Sequence, residues 1–85
     1  MGSYSVRVLS SAEKELRAVP GTHLKRLAAK IQALAGQPRP HGVEKISGQE
    51  RYRIRHGDWR VVYGIDETRK EVLVVKIGHR REVYR

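Results

Sequence analysis

Between positions 51 and 63 the chain reads Arg-Tyr-Arg-Ile-Arg, then His-Gly-Asp-Trp, then Arg-Val-Val-Tyr. Side chains alternate across a strand with period two, so Tyr52 and Ile54 share one face while Arg51, Arg53 and Arg55 share the other. With residues 56–59 as the loop of a hairpin, Arg55 pairs with Arg60, Ile54 with Val61, Arg53 with Val62 and Tyr52 with Tyr63. That register gathers Arg53, Arg55 and Arg60 on one side of a sheet. Directly opposed like charges destabilise a strand pair, and the ladder itself needs neither of them. A polyanionic partner accounts for the pattern; the plain alternative is a solvated sheet face.

The rest of the composition bounds what such a sheet belongs to. At 85 residues without an internal repeat, the chain supports one small domain spanning residues 1–85. Hydrophobic residues at 39% against 32% charged favour a folded body over a disordered one. Cysteine is absent, so no disulfide staples the fold, and a reducing cytoplasm is the simplest compartment. The N-terminus carries nothing like a secretory apolar segment, and the longest apolar run, residues 72–75, is far too short to cross a bilayer. No membrane role is expected. The formal charge of +9 favours nucleic acid or an acidic protein as partner. It is spread over the chain, with seven Lys/Arg against two Asp/Glu in 1–43 and eleven against seven in 44–85. The basic surface therefore belongs to a folded body and not to a tail.

Along the chain, residues 4–8 alternate as a short strand. Ser10 followed by Glu13 is a capping-box pattern, so a helix is predicted with Ser10 as its cap and Ala12, Leu16 and Val19 on its inner side. Pro20-Gly21 ends it, and Pro20 also suits the start of a second helix. There Leu24, Leu27, Ala28, Ile31, Leu34 and Ala35 form a continuous apolar stripe, with Gly36 as C-terminal cap and Pro38 and Pro40 beyond. Residues 43–46 suggest a short edge strand. Strands over 52–55, 59–66 and 72–79 follow, the last two joined by a polar turn at 67–70.

Strand parity assigns Tyr52, Ile54, Val61, Tyr63, Ile65, Leu73, Val75 and Ile77 to the helix-facing side. The opposite side receives Arg53, Arg55, Arg60 and Lys76, with Arg80 if the last strand continues, and Val62, Val72 and Val74 interrupt it. A basic concavity with an apolar floor is expected. The predicted fold class is α+β, with order β-α-α-β-β-β and two N-terminal helices packed on one face of a mainly antiparallel, twisted sheet.

This order resembles the RelE toxins, in the RelE/ParE superfamily of bacterial and archaeal toxin–antitoxin systems. The resemblance is carried by Tyr-Arg-Ile-Arg before the turn, Trp-Arg-Val-Val-Tyr after it, and the closing Ile-Gly-His-Arg-Arg-Glu-Val-Tyr. It covers essentially the whole chain. It implies a ribosome-dependent endoribonuclease that cuts messenger RNA in the ribosomal A site, needs no metal or other cofactor, and is silenced by a cognate antitoxin. Carried over residue by residue, the family's catalytic positions fall on Arg53, Arg55, Arg60, Arg80 and Tyr84. Lys45, Arg51, Lys76, His79 and Arg81 are the neighbouring candidates for RNA contact. One departure stands out: the best-known members carry lysines where Arg53 and Arg55 stand.

The chemistry is consistent with those residue types. Metal-free RNA cleavage needs the 2′-hydroxyl to attack the adjacent phosphorus in line, with the 5′-oxygen leaving. Charge then develops on the phosphoryl oxygens, which the planar, permanently protonated guanidinium fork suits. Arg60 and Arg80 are candidates for that task, and Tyr84 for proton exchange or for stacking on a displaced base. Arginine is a poor general base, so Arg53 and Arg55 are expected to position phosphates. His23, His41, His56 and His79 are scattered without ligand spacing, which argues against a metal site. His79 reads either as a phosphate contact or as a packed strand end. Trp59 reads as a base platform or a core lid, and Asp58 as turn chemistry. Two other readings remain: a ParE-like inhibitor of DNA gyrase on the same scaffold, and a non-catalytic basic RNA-binding module.

Overall fold

Gly57 adopts φ +59° and Asp58 does not adopt positive φ, the pattern of a type II′ turn with glycine at its first central position. Around it a computed structural model, which describes residues 4–48 and 50–79, closes the hairpin between β3 (Tyr52–His56) and β4 (Trp59–Asp66). Its register is the expected one, with His56 and Trp59 as an additional pair, so the loop shrinks to two residues. The other elements are β1 (Ser5–Val8), α1 (Ser10–Arg17), α2 (Gly21–Ala33), β2 (Glu44–Lys45) and β5 (Glu71–His79). The five strands form one sheet in the order β1-β5-β4-β3-β2. Only the β1–β5 pair is parallel.

One face of the sheet packs on the helices. Ala12 and Val19 from the first helical segment and Leu27, Ile31 and Leu34 from the second meet Ile54, Val61, Tyr63, Val72, Val74 and Ile77 from the strands. Each fully buried aliphatic side chain here contributes roughly 1.5–3 kcal/mol of transfer free energy. Val72 and Val74 correct the parity reading, which had placed Leu73 and Val75 inward. The β4–β5 register shifts between Val62, opposite Lys76, and Tyr63, opposite Val74, leaving Val75 as the extra residue of a bulge. A bulge reverses parity beyond it, so Val72 and Val74 turn to the core while Lys76 keeps the open face.

Two helix ends also differ from expectation. Leu9, not Ser10, is the N-cap of α1, with no side-chain cap bond, and Glu13 pairs with Arg17 one turn on. The intrahelical ion pair takes the carboxylate that a capping box would use. At the end of α2, Leu34, Ala35 and Gly36 donate to the carbonyls three residues back, a tightened final turn that needs no left-handed glycine. Gly36 accordingly lacks a positive φ.

The loop after α2 is fastened to the sheet by one buried and several exposed polar contacts. Tyr63 Oη donates to the Pro38 carbonyl at 2.6 Å, and the Arg39 guanidinium lies over the Tyr52 ring while pairing with Glu67 at 2.9 Å. Burial pushes the Tyr63 phenol from 10.0 up to about 12. Tyr63→Phe leaves the Pro38 carbonyl without that donor and is expected to cost about 1–3 kcal/mol, read as a lower urea midpoint at unchanged slope. Because the folded-state pKa is raised, this advantage of the neutral phenol is complete below pH 10 and is lost as pH rises through about 12. The wild-type and Phe midpoints should therefore converge across that window.

Candidate nucleic-acid interface

The face of the sheet turned away from the helices carries the charge. Arg55 lies opposite Arg60, Arg53 opposite Val62, and Val62 opposite Lys76, so all five share that side. Glu44 lies opposite Arg53 and joins them. Arg51 continues the series below: its Nη1 would meet a Cβ placed on Gly64 at 2.8 Å, so glycine at 64 lets the guanidinium lie flat on the strand.

The opposed arginines diverge. Arg55 reaches from β3 to Glu44 on β2, with Nη2 at 3.1 Å and Nε at 3.2 Å from Oε1. Arg53 Nη2 approaches the same oxygen at 3.3 Å. Arg60 turns the other way and donates from Nη1 to the Gly57 carbonyl at 2.9 Å. It is only 7% exposed, and its Nε has no hydrogen-bond partner. Each guanidinium thus has an internal acceptor, which removes the like-charge clash that the register creates. Lys76 pairs with Glu15 of α1 at 2.8 Å. Glu15 also accepts the Ile77 N–H at 2.9 Å, covering the edge of β5 beyond its last pairing with β1.

The sequence-derived candidates therefore divide. Arg51, Arg53, Arg55, Arg60 and Lys76 share the open face. Lys45, opposite Tyr52, and His79, opposite Trp59, point to the helix side. Arg80, Arg81 and Tyr84 lie outside the described residues. His79 instead packs edge-on against Trp59, with its Nε2 3.8 Å from Asp58, and His23 and His56 continue the cluster. Trp59 is thereby a lid on the core beneath the hairpin tip. Burial first, then His23, Lys30 and Arg26, hold His56 below the ordinary 6.5. Among the described residues no group of three or more His, Asp or Glu is arranged to hold a metal ion.

A cleft of about 340 Å³ opens between α2, the following loop and β3, lined by Leu34, Pro40, Ile54 and Arg55 among others. A smaller one, about 200 Å³, lies at the acidic end of the open face near Glu50, Asp66 and Glu71. The two carboxylates that engage the cations, Glu15 and Glu44, escaped sequence reasoning. A two-residue edge strand gives no register, so nothing in the sequence decided whether Glu44 or Lys45 faced the arginines.

A family model described as the ParE toxin of the type II toxin–antitoxin system parDE matches residues 6–84. The chain is a type II toxin of the RelE/ParE family. It is 29% identical to toxin RelG of Mycobacterium tuberculosis, over 96% of this chain and 97% of that one. The archaeal RelE–RelB complex of Pyrococcus horikoshii superposes at TM-score 0.83 and 28% identity, covering 94% of this toxin and 98% of that chain. The isolated RelE toxin of E. coli gives 0.79 and 26%, covering 95% and 90%.

The division of faces is testable with a short 2′-O-methyl RNA oligonucleotide, which cannot be cleaved. Arg53→Gln and Arg55→Gln should each flatten the dependence of log affinity on log salt by about 0.7. Lys45→Gln, on the other side of the toxin, should leave that slope unchanged.

Proposed function

We propose that this toxin is a ribosome-dependent endoribonuclease that cleaves messenger RNA in the ribosomal A site and is held inactive by a cognate antitoxin. The observation that carries this reading is the in-register set Arg53, Arg55 and Arg60 on the sheet face opposite the helices of a RelE-type scaffold. The structurally similar RelE chains from P. horikoshii and E. coli are found with RelB antitoxins, which supports a partner of that kind.

In the proposed reaction the 2′-oxygen forms a bond to phosphorus as the bond from phosphorus to the 5′-oxygen breaks, leaving a 2′,3′-cyclic phosphate. The 2′-hydroxyl proton passes to a base and the 5′-oxygen takes up a proton. Arg53 and Arg55 hold the phosphates flanking the scissile bond. Arg60, released from the Gly57 carbonyl, is assigned to donate to the phosphoryl oxygens together with Arg80. Tyr84 is assigned to proton exchange or base stacking. Arginine does not serve as the base, so in-line geometry imposed on the ribosome supplies much of the rate.

Primer extension in a translating extract should show breaks at fixed codon positions with wild type. Arg80→Ala and Tyr84→Phe should each reduce them by about 10²-fold or more while circular dichroism stays unchanged. Breaks that survive both substitutions overturn the residue assignment, and rapid cutting of naked transcripts overturns the dependence on the ribosome. The description of the matching family model names ParE, so inhibition of gyrase supercoiling without any messenger breaks would establish that reading instead.

A further inference from the structure

The open face does not present bare arginines. A single carboxylate oxygen, Glu44 Oε1, receives Arg53 Nη2 and both Nε and Nη2 of Arg55. Nε and Nη2 form the edge of the guanidinium fork that grips a phosphate oxygen. Glu44 comes from the two-residue strand β2, whose pairing with β3 is continued by the Ile46 N–H to the Arg51 carbonyl, at 2.9 Å. Its side chain is about a third exposed and that of Arg55 about half, so a ligand reaches the pair from solvent. Glu15 differs, because it is tied to the backbone of β5 as well as to Lys76.

We propose that Glu44 is a built-in phosphate surrogate: its carboxylate holds Arg53 and Arg55 together in the free toxin and must be displaced when an RNA phosphodiester takes its place. Glu44 is thus a positioning residue and an electrostatic gate on nucleic-acid binding. The proposal deepens the functional reading above, in that it takes RNA phosphates as the ligand of this face. It also gives that reading a physical cause for low affinity toward free transcripts. A flexible strand competes poorly with an intramolecular carboxylate, whereas a codon fixed on the ribosome delivers its phosphate already oriented.

The test is fluorescence anisotropy of the uncleavable 2′-O-methyl RNA oligonucleotide against the 85-residue toxin at several salt concentrations. Glu44→Gln should bind about 10-fold tighter at low salt, the release of two partly exposed ion pairs, with a log–log salt slope steeper by about 0.7. Glu44→Asp keeps the net charge but withdraws the carboxylate by one methylene, and should bind about 3-fold tighter than wild type. Glu13→Gln removes an equal charge from the surface of α1 and should change affinity by less than about 2-fold. Equal gains from Glu13→Gln and Glu44→Gln would reduce the effect to net charge and overturn the gate. So would unchanged, weaker or absent binding by a folded Glu44→Gln toxin, or an unaltered affinity in Glu44→Asp if the Gln variant fails to fold. Because this RNA cannot be cut, the result is independent of whether the messenger breaks appear in the translating extract.

Discussion

Two arginines facing each other across adjacent strands set the terms for the whole open face of this toxin. Paired positions in an antiparallel ladder lie about 4.5–5.5 Å apart at Cα, too close for parallel guanidinium groups without counter-charge. The structure resolves this by divergence, Arg55 to a carboxylate on the edge strand and Arg60 to a carbonyl of the turn. Both solutions depend on short local features. The first needs β2 to present Glu44 at the level of Arg53, and the second needs the two-residue turn at Gly57 to bring its carbonyl beneath Arg60. The formal charge of +9 is therefore not a measure of accessible positive potential on this side. Arg53, Arg55 and Arg60 carry acceptors that an incoming anion has to replace.

The hairpin was legible because every residue in it speaks to the same register. Alternation in 51–55, the Gly-Asp pair and the Arg-Val-Val-Tyr return strand agree, and the four pairs the sequence implies are observed, with His56–Trp59 added where a four-residue loop was expected. The second helix was legible for a similar reason, since its stripe repeats over three turns. The last strand was not. Val72, Leu73, Val74 and Val75 are all apolar, so the run contains no period from which to read a face. The bulge at Val75 settles the matter by packing: it seats Val72, Val74 and Ile77 together against the helices, a spacing that unbroken alternation forbids.

That same bulge explains why part of the site was readable despite it. Lys76 and Ile77 lie on the hairpin-tip side of the irregularity, where parity counted from the turn still holds, and their faces came out as expected. Lys45 and His79 lie on the other face for a different reason. Both are cationic or titratable and near the arginines in sequence or register, yet residue type carries no information about face. Pairing with Tyr52 and Trp59 turns them to the helix side. The carboxylates were invisible because their role depends on where β2 and α1 dock, and neither contact has a local signature.

Arginine in place of lysine at 53 and 55 now has a structural consequence. A lysine ammonium is a compact point charge that one carboxylate can satisfy from many directions. A guanidinium is planar, and its useful edge must be aimed. Glu44 aims two of them at once through one oxygen, so the plane that a phosphate would meet is defined before any ligand arrives. Such preorganisation lowers the conformational cost of binding while the same carboxylate competes for the site. The two effects oppose each other, and which one dominates depends on how the phosphate is delivered. A loosely held strand loses the competition; a rigidly presented one gains from arginines already in position. On the proposed function, a single acidic side chain would then favour a constrained messenger over a free one.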